Sequence, residues 1–152
     1  MRKKLNKMLK HIAFNTEVFG ASLVPIVSID QTQYFVLFKR NYGHCKGKYA
    51  PLGGGAKHGE TGIQAATRES YEETNGYLVV LSEDIVHVAL PGNWPTYFAV
   101  TNGTINGMAM SLNHEHSCCK LVEMSENAVL WDEDLSLLTR AQLFDFIQRK
   151  GH

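Results

Sequence analysis

Residues 54–76 read GGAKHGETGIQAATRESYEETNG, a glycine-rich segment that leads into an acidic one with helix-forming character. Glu69, Glu72 and Glu73 lie at positions i, i+3 and i+4, so on a helix their side chains share one face. Like charges at this spacing repel one another and destabilise the helix. A divalent cation would remove the repulsion, and carboxylate oxygens are the ligands that Mg²⁺ and Mn²⁺ prefer. The stretch therefore predicts a metal site, and a metal beside a helix points to phosphate chemistry.

The same stretch carries signals that begin and end a helix. Thr61 followed by Gln64 is a capping box, in which each side chain bonds the backbone N–H of the other residue. Asn75 and Gly76 offer a left-handed C-terminal cap. We therefore predict a helix over about residues 62–74.

The spacing of the charged residues resembles the Nudix box, whose pattern is Gly-x5-Glu-x7-Arg-Glu-U-x-Glu-Glu-x-Gly-U, with U a bulky aliphatic residue. The matching positions are Gly54, Glu60, Arg68, Glu69, Glu72 and Glu73. The positions that depart from the pattern are Ser70, Asn75 and Gly76. One inserted residue explains the last two departures, because Gly76-Tyr77 then restores the glycine-then-apolar ending. Every charged position of the pattern is retained, so the departures affect packing and the helix exit.

Resemblance to the Nudix family implies an α/β fold, an α/β/α sandwich in which helices flank a mixed β-sheet. It implies a metal-dependent pyrophosphohydrolase that cleaves a nucleoside diphosphate linked to a variable group X. The substrate classes left open are nucleoside triphosphates, nucleotide sugars, dinucleoside polyphosphates and capped RNA. The expected cofactor is Mg²⁺, with Mn²⁺ as the alternative. The competing hypothesis is a catalytically weak Nudix fold that acts as a nucleotide- or RNA-binding module.

The resemblance also assigns roles to the acidic helix. The expected metal ligands are Glu69, Glu72, Glu73 and the backbone carbonyl of Gly53. On the helix, Arg68 points about 100° away from the acidic face. We therefore expect it to orient Glu60 or Glu69 instead of contacting substrate. A plain helix salt bridge is the alternative role for Arg68. The box residues expected to serve catalysis are Glu69, Glu72 and Arg68.

Nudix enzymes often take a further carboxylate from a later loop, as a metal ligand or general base. Glu115, in the segment LNHEHS, is the candidate, and Glu123 is the alternative. An exposed loop acid is the competing role for Glu115. His114 and His116 offer groups for phosphate binding or proton transfer, but for each an ordinary surface histidine is the expected role.

Basic and aromatic residues near the glycine-rich loop are candidates for substrate contacts. Arg40 and Lys57 are the expected phosphate contacts, among the basic residues Lys39, Arg40, Lys46, Lys48 and Lys57. Trp94 and Tyr97 are the candidates for stacking on a base, whereas Phe98 is expected in the core. A solvated basic rim is the alternative for any single cation. Pro91 hints at ADP-ribose specificity, because a proline near this position accompanies that specificity in some Nudix groups.

Composition bounds the class of protein. The 152 residues are enough for a single domain, 1–152, and their formal net charge of zero argues against attraction to nucleic acid by bulk charge. No apolar run approaches the roughly 18 residues that a membrane span needs. Three cysteines without a Cys-x-x-Cys motif suit a reducing compartment, so we expect a cytoplasmic protein. The expected partner is a small nucleoside diphosphate derivative, and the expected state is a monomer or homodimer.

The N-terminal segment, about residues 1–12, is strongly basic. It contains no acidic residue, and its cations are Arg2, Lys3, Lys4, Lys7 and Lys10. A capping helix or a loosely ordered start is the expected role, and RNA, a membrane surface or a targeting receptor is the alternative partner. A zinc site is not expected, because the spacings match no zinc template for the residues His44, Cys45, His114, His116, Cys118 and Cys119.

The remaining elements follow from hydrophobic pattern and turn residues. Pro25 indicates an edge strand or a bulge, and Asp30-Gln31-Thr32 indicates a hairpin turn. We predict strands at 21–29, 33–39, 77–81, 85–90, 96–101, 105–111 and 118–124. We predict helices, in addition to that at 62–74, at 125–131 and 139–149.

Overall fold

A computed structural model of the protein describes residues 18–43, 45–89 and 92–150. The helices are α1 Gly62–Glu73, α2 Ile105–Ser111, α3 Glu126–Leu130 and α4 Leu137–Lys150. The strands are β1 Gly20–Ile29, β2 Thr32–Arg40, β3 Tyr49–Ala50, β4 Leu52–Gly55, β5 Ile85–Ala89, β6 Thr96–Val100 and β7 His116–Glu123. The basic N-terminal segment, His44 and Pro91 lie outside the described residues.

The strands form one mixed, seven-stranded sheet with β1 near its centre. The order is β3-β2-β1-β6-β5, with β4 also paired to β1 and β7 to β2. β1 and β6 are parallel, and the other pairs are antiparallel. Pro25 therefore lies in a central strand, so the edge expectation is wrong. Proline is tolerated there because β1 changes partner around it, from β4 at Leu23 to β2 at Ile26.

Helices cover both faces of the sheet, which confirms the predicted sandwich. Successive strand residues point to opposite faces, and Leu23 packs with Ile63 of α1. Its neighbour Val24 packs with Leu143 and Phe146 of α4. Within the described ranges, no helix has both the length and the apolar character needed to cross a membrane.

Two of the predicted strands are wrong. Residues 105–111 form α2, because Thr104 accepts the N–H of Gly107 as an N-cap and Met108 is buried as part of a helical face. Residues 77–81 are not a strand. The N–H of Leu78 donates to Thr74 Oγ1 at 3.0 Å instead of to a neighbouring strand.

The other predicted elements agree with observed ones to within a few residues, which is the ordinary uncertainty of an element boundary. The short strands β3 and β4 are not among the predicted elements. Asp30 and Gln31 have φ angles of 49° and 69°, so the predicted hairpin turn has both central residues in the left-handed region. The two C-terminal helices begin at Glu126 and Leu137.

Gly62, the first residue of α1, faces the hydroxyl of Tyr97 so closely that a Cβ atom there would overlap with it. That hydroxyl is buried and has no hydrogen-bond partner among the described residues. We expect Gly62→Ala to lower the free energy of unfolding by about 2 kcal/mol, measured by urea denaturation. Tyr97→Phe removes an unpaired buried hydroxyl and should be neutral or stabilising. Gly62→Ala should therefore cost less in the Tyr97→Phe background, and an equal cost in both would contradict this account.

Candidate metal centre

The ends of α1 are fixed by the caps that its sequence predicts. Thr61 Oγ1 accepts the N–H of Gln64 at 3.1 Å, and Gln64 Oε1 accepts the N–H of Thr61 at 3.0 Å. Asn75 and Gly76 follow the helix with φ angles of 48° and 84°. Ser70, which departs from the Nudix pattern, is fully buried, and its hydroxyl donates to a backbone oxygen one turn earlier in α1. The hydroxyl of Ser70 is therefore paired within α1.

Arg68 is the centre of an ion-pair network at the start of the acidic face. It donates to both carboxylate oxygens of Glu60, from Nε at 2.7 Å and from Nη2 at 2.9 Å. Its Nη1 lies 3.0 Å from Glu69 Oε1 and 3.2 Å from Glu72 Oε2, and its Nη2 also donates to Gly55 O. These contacts lower the pKa of Glu60 and raise that of Arg68. Arg68 thus connects the glycine-rich strand to two carboxylates of the helix.

Three carboxyl groups converge at the other end of this network. Glu69, Glu73 and Glu115 each place one oxygen so that all three oxygens lie within 4.8 Å of one another. Glu73 is almost fully buried, whereas Glu69 and Glu115 are partly exposed. The sequence-based expectation that a later loop supplies a carboxylate therefore corresponds to Glu115 in the fold.

We call Glu69, Glu73 and Glu115 the acidic cluster, and within it burial and repulsion both raise the pKa values of Glu69 and Glu73. Burial, followed by the charges of Glu115 and Glu69, raises the pKa of Glu73 to about 9. Burial also raises the pKa of Glu69, although Arg68 acts against it. A divalent cation would supply the positive charge that the cluster lacks, and its hard oxygen donors suit Mg²⁺ or Mn²⁺. The residues present therefore fit such a cation.

The glycine-rich strand β4 leaves space for these carboxylates. A Cβ atom on Gly54 would lie 2.6 Å from Glu69 Cδ, so only glycine accommodates the Glu69 side chain in this position. The N–H of Gly53 donates to Glu73 Oε2 at 3.0 Å. Strand β4 thus contacts two of the three acids directly.

Asn113 and Asn75 connect the segment around Glu115 to the end of α1, and Asn41 connects it to the end of β2. Asn113 donates its N–H to Glu73 O at 2.9 Å, and its Oδ1 accepts the N–H of Glu115 at 2.9 Å. Asn75 Nδ2 donates to Ser111 O, and Asn41 N–H donates to Glu115 O. Sequence reasoning missed Asn41 and Asn113, although an asparagine two positions before an acid, as Asn113 is before Glu115, is a recognisable turn signal.

Glu72 lies at the edge of the acidic cluster, and Glu123 lies far from it. Glu72 has a half-exposed side chain that contacts Arg68, and it is not among the three converging acids. Glu123 is exposed at the far end of β7, about 25 Å along the strand from Glu115. Its position therefore rules out Glu123 as the downstream carboxylate of this cluster.

The candidate substrate residues lie in different environments. The charge of Arg40 opposes the burial that raises the pKa of Glu73 and adds to the burial that lowers the pKa of His116, so this cation lies beside the cluster. Lys57 is exposed next to Glu60, to which its backbone N–H donates at 2.9 Å. Lys48 instead donates to the backbone oxygen of Glu133.

The two aromatic candidates differ in exposure. Trp94 is 40% exposed, and its Nε1 donates to Ser22 Oγ, on the strand residue paired with Gly53. Tyr97 is 1% exposed and packs with α1. The ring of Tyr97 is therefore a core group and presents no face to a ligand, contrary to expectation, whereas Phe98 is buried as expected.

Among the residues that the structure describes, the histidines and cysteines do not form a shared metal site. His114 is exposed and stacks on Tyr42, as expected of a surface residue. His116 is buried, contrary to expectation, and burial together with Arg40 lowers its pKa to about 4. Cys118 and Cys119 point to opposite faces of β7, so they cannot ligate one ion together.

Solved structures of other proteins share the fold of this chain. The MutT protein of Methanosarcina mazei Go1 has a TM-score of 0.63 at 20% identity, over 89% of this chain and 96% of that chain. An Ap4A hydrolase of C. elegans, in a binary complex, has a TM-score of 0.62 at 22% identity, over 87% of this chain and 98% of that chain. The NUDIX domain of Shewanella oneidensis NrtR, complexed with ADP ribose, has a TM-score of 0.57 at 17% identity, over 91% of this chain and 89% of that chain. At these identities the likenesses show the fold alone.

Sequence comparison gives the family. No curated protein matches the chain. The sequence profile of the NUDIX domain matches residues 20–140, which include the glycine-rich strand, α1 and Glu115. Since this match spans most of the chain, the protein belongs to the NUDIX domain family.

Proposed function

We propose that this protein is a metal-dependent pyrophosphohydrolase that cleaves a nucleoside diphosphate linked to a group X. The observation that carries the proposal is the approach of Glu69, Glu73 and Glu115 to within 4.8 Å of one another. Acids at this distance cannot all be ionised at low energetic cost unless a cation joins them. The names of the structural neighbours, which include an Ap4A hydrolase and a domain complexed with ADP ribose, support a nucleotide derivative as substrate.

The proposed ligands of the cation lie on α1 and β4. Glu69 and Glu73 provide carboxylate oxygens, and Glu72 joins them from the solvent side, since Glu72 and Glu69 contact the same nitrogen of Arg68. The N–H of Gly53 points to Glu73. The N–H and C=O of one strand residue point to the same side, so we infer that the carbonyl of Gly53 also faces the acids.

Each remaining residue of the site has a role that follows from its position. When bound, a divalent cation neutralises charge on phosphate oxygens and lowers the pKa of an attacking water. Glu115, partly exposed beside Glu69 and Glu73, is the proposed general base that accepts the proton of this water. Arg68 keeps Glu69 oriented, and Glu60 keeps Arg68 oriented through its two-oxygen contact.

The substrate is proposed to enter from the side of Arg40. No carboxylate of the described residues lies within salt-bridge distance of its guanidinium, and this cation lies beside Glu73. Arg40 is therefore placed to bind a phosphate group, with Lys57 as a second, exposed cation. Trp94, in the segment before β6 and hydrogen-bonded to Ser22 beside Gly53, is the proposed platform for the base or for X.

A panel of substrates tests the proposal. Phosphate release from nucleoside triphosphates, nucleotide sugars, ADP-ribose, dinucleoside polyphosphates and capped RNA would be measured with Mg²⁺ and with Mn²⁺. Coupled pyrophosphatase or phosphatase would identify the product. We expect turnover of one class that EDTA abolishes and added metal restores. Folded protein that binds nucleotide but hydrolyses no class would instead support the binding-module hypothesis, and turnover that resists EDTA would contradict the metal mechanism.

Two neighbouring glycines provide a matched pair of variants. Gly54→Ala places a methyl group 2.6 Å from Glu69 Cδ, whereas the nearest atom to a Cβ at Gly55 is Phe19 O at 3.9 Å. We expect Gly54→Ala to displace Glu69 and to lower kcat/KM about tenfold to a hundredfold, as loss of a supporting contact does. Gly55→Ala should keep nearly full activity. Equal activity of the two variants would show that the position of Glu69 does not matter.

A further inference from the structure

His116 has an unsatisfied polar atom directly behind the acidic cluster. Its side chain is 4% exposed, and its Nδ1 is buried without a hydrogen-bond partner among the described residues. The nearest carboxylate oxygen is Glu73 Oε1, at 3.8 Å from Nδ1. The other oxygen of the same carboxyl group, Oε2, already accepts the N–H of Gly53 at 3.0 Å. Glu73 thus has one oxygen held by backbone and one beside an unused imidazole nitrogen.

The ring of His116 is fixed where it is. Its backbone pairs with Arg40 across the β2–β7 ladder, and its N–H donates to Asn113 O. Its ring packs edge-on against Phe38, with the centroids 5.8 Å apart. The ring therefore cannot turn out to water, and an unpaired buried donor is costly. A movement of Glu73 by about 1 Å toward the ring would bring Oε1 within hydrogen-bonding distance.

We propose that His116 is a positioning residue, whose Nδ1–H donates to Glu73 Oε1 and, with the N–H of Gly53, holds this carboxylate in the orientation that binds the cation. The inference rests on the proposed function, because Glu73 is a proposed ligand. Hydrogen bonds to a metal-binding carboxylate fix its orientation and raise its affinity for the metal. His116 contacts neither the substrate nor the reacting atoms in this role.

Binding of Mn²⁺ to metal-free protein, followed by electron paramagnetic resonance of the free ion, tests the proposal without measuring activity. His116→Phe keeps a planar ring but has no donor, and we expect its Kd for Mn²⁺ to rise about tenfold to a hundredfold. His116→Asn places an amide N–H close to the position of Nδ1, and we expect it to keep the affinity within about threefold of the original protein. A residue that only fills space would show the opposite order, since Phe fills the pocket better than Asn.

Nitrogen-15 NMR of the imidazole provides a signature that depends on no variant. In Mg²⁺-loaded protein, Nδ1 of His116 should carry the proton, and Nε2 should not. The opposite tautomer would overturn the inference, even if His116→Phe failed to fold.

The outcomes separate this inference from the proposed function. If the original protein does not bind Mn²⁺ at all, the proposed metal site itself is wrong. If the original protein binds Mn²⁺ and hydrolyses a nucleotide, but His116→Phe binds Mn²⁺ equally well, the positioning role is overturned and the proposed function stands.

Discussion

Glu73→Gln is expected to lower turnover by two or more orders of magnitude, because it removes the most buried carboxylate of the acidic cluster. The amide oxygen of Gln can still accept the N–H of Gly53, so the packing of α1 against β4 should be kept. The loss should therefore appear in Mn²⁺ affinity and kcat/KM while the circular dichroism spectrum is unchanged.

The same substitution should make the metal-free protein more stable. The pKa of Glu73 rises from the ordinary value of 4.5 to about 9 on folding. Between these values the folded protein binds a proton that the unfolded chain does not, so this group makes stability fall as pH rises. At pH 7 the gain from Glu73→Gln is at most about 3 kcal/mol. Urea denaturation in EDTA should show the gain growing from about pH 5 to about pH 8.

Glu123→Gln is the matched control for this prediction. Glu123 is an exposed acid on β7 outside the acidic cluster. Its variant should therefore keep the turnover of the unchanged protein and the same dependence of stability on pH. Near-normal turnover of Glu73→Gln would contradict the assigned site. A loss of metal-free stability in Glu73→Gln would contradict the account of repulsion in the cluster.

Arg68→Ala has the second large expected effect, on stability as well as turnover. Its side chain is 20% exposed, and it contacts Glu60 and Glu69, which are 13% and 14% exposed. Removing the cation leaves these acids without their partner, which costs about 3 kcal/mol of unfolding free energy. Turnover should fall about tenfold to a hundredfold, since Glu69 loses the contact that orients it.

Two further variants control for the loss of positive charge. Arg68→Lys should recover little, because an ammonium group cannot bond both oxygens of Glu60 and reach Gly55 O at the same time. Arg149→Ala removes a 71% exposed arginine that pairs with Asp145, and should cost less than about 1 kcal/mol. If urea denaturation gives similar losses for Arg68→Ala and Arg149→Ala, the network around Arg68 has no special role.

The parts of the site that depend on neighbouring residues could be predicted from the sequence. The Thr61–Gln64 capping box and the Asn75-Gly76 exit depend on residues a few positions apart, and both are present in the fold. The position of Glu115 depends instead on contacts that Asn113 makes with the end of α1. No periodicity within the loop encodes such contacts, so the sequence left Glu115 and Glu123 as alternatives.

The misassigned residues show the same limit. Residues 105–111 contain several apolar residues, and two of them, Ile105 and Met108, have a helical spacing. The cap at Thr104 decides for the helix. Tyr97 lies on the face of β6 that packs against α1. A shift of one position along a strand moves a side chain to the other face, so the sequence pattern did not distinguish a core position from a ligand-contacting one. His116 was expected at the surface because a histidine beside an acid in a loop gives no sign of burial.

Anomalous diffraction from crystals grown with Mn²⁺ tests the central claim most directly, because it places the ion without reference to activity. We expect one strong peak between the carboxylates of Glu69 and Glu73, close to Glu115. A peak elsewhere, or none in crystals of protein that hydrolyses nucleotides in the same buffer, would contradict the assignment of this acidic cluster as the catalytic metal centre.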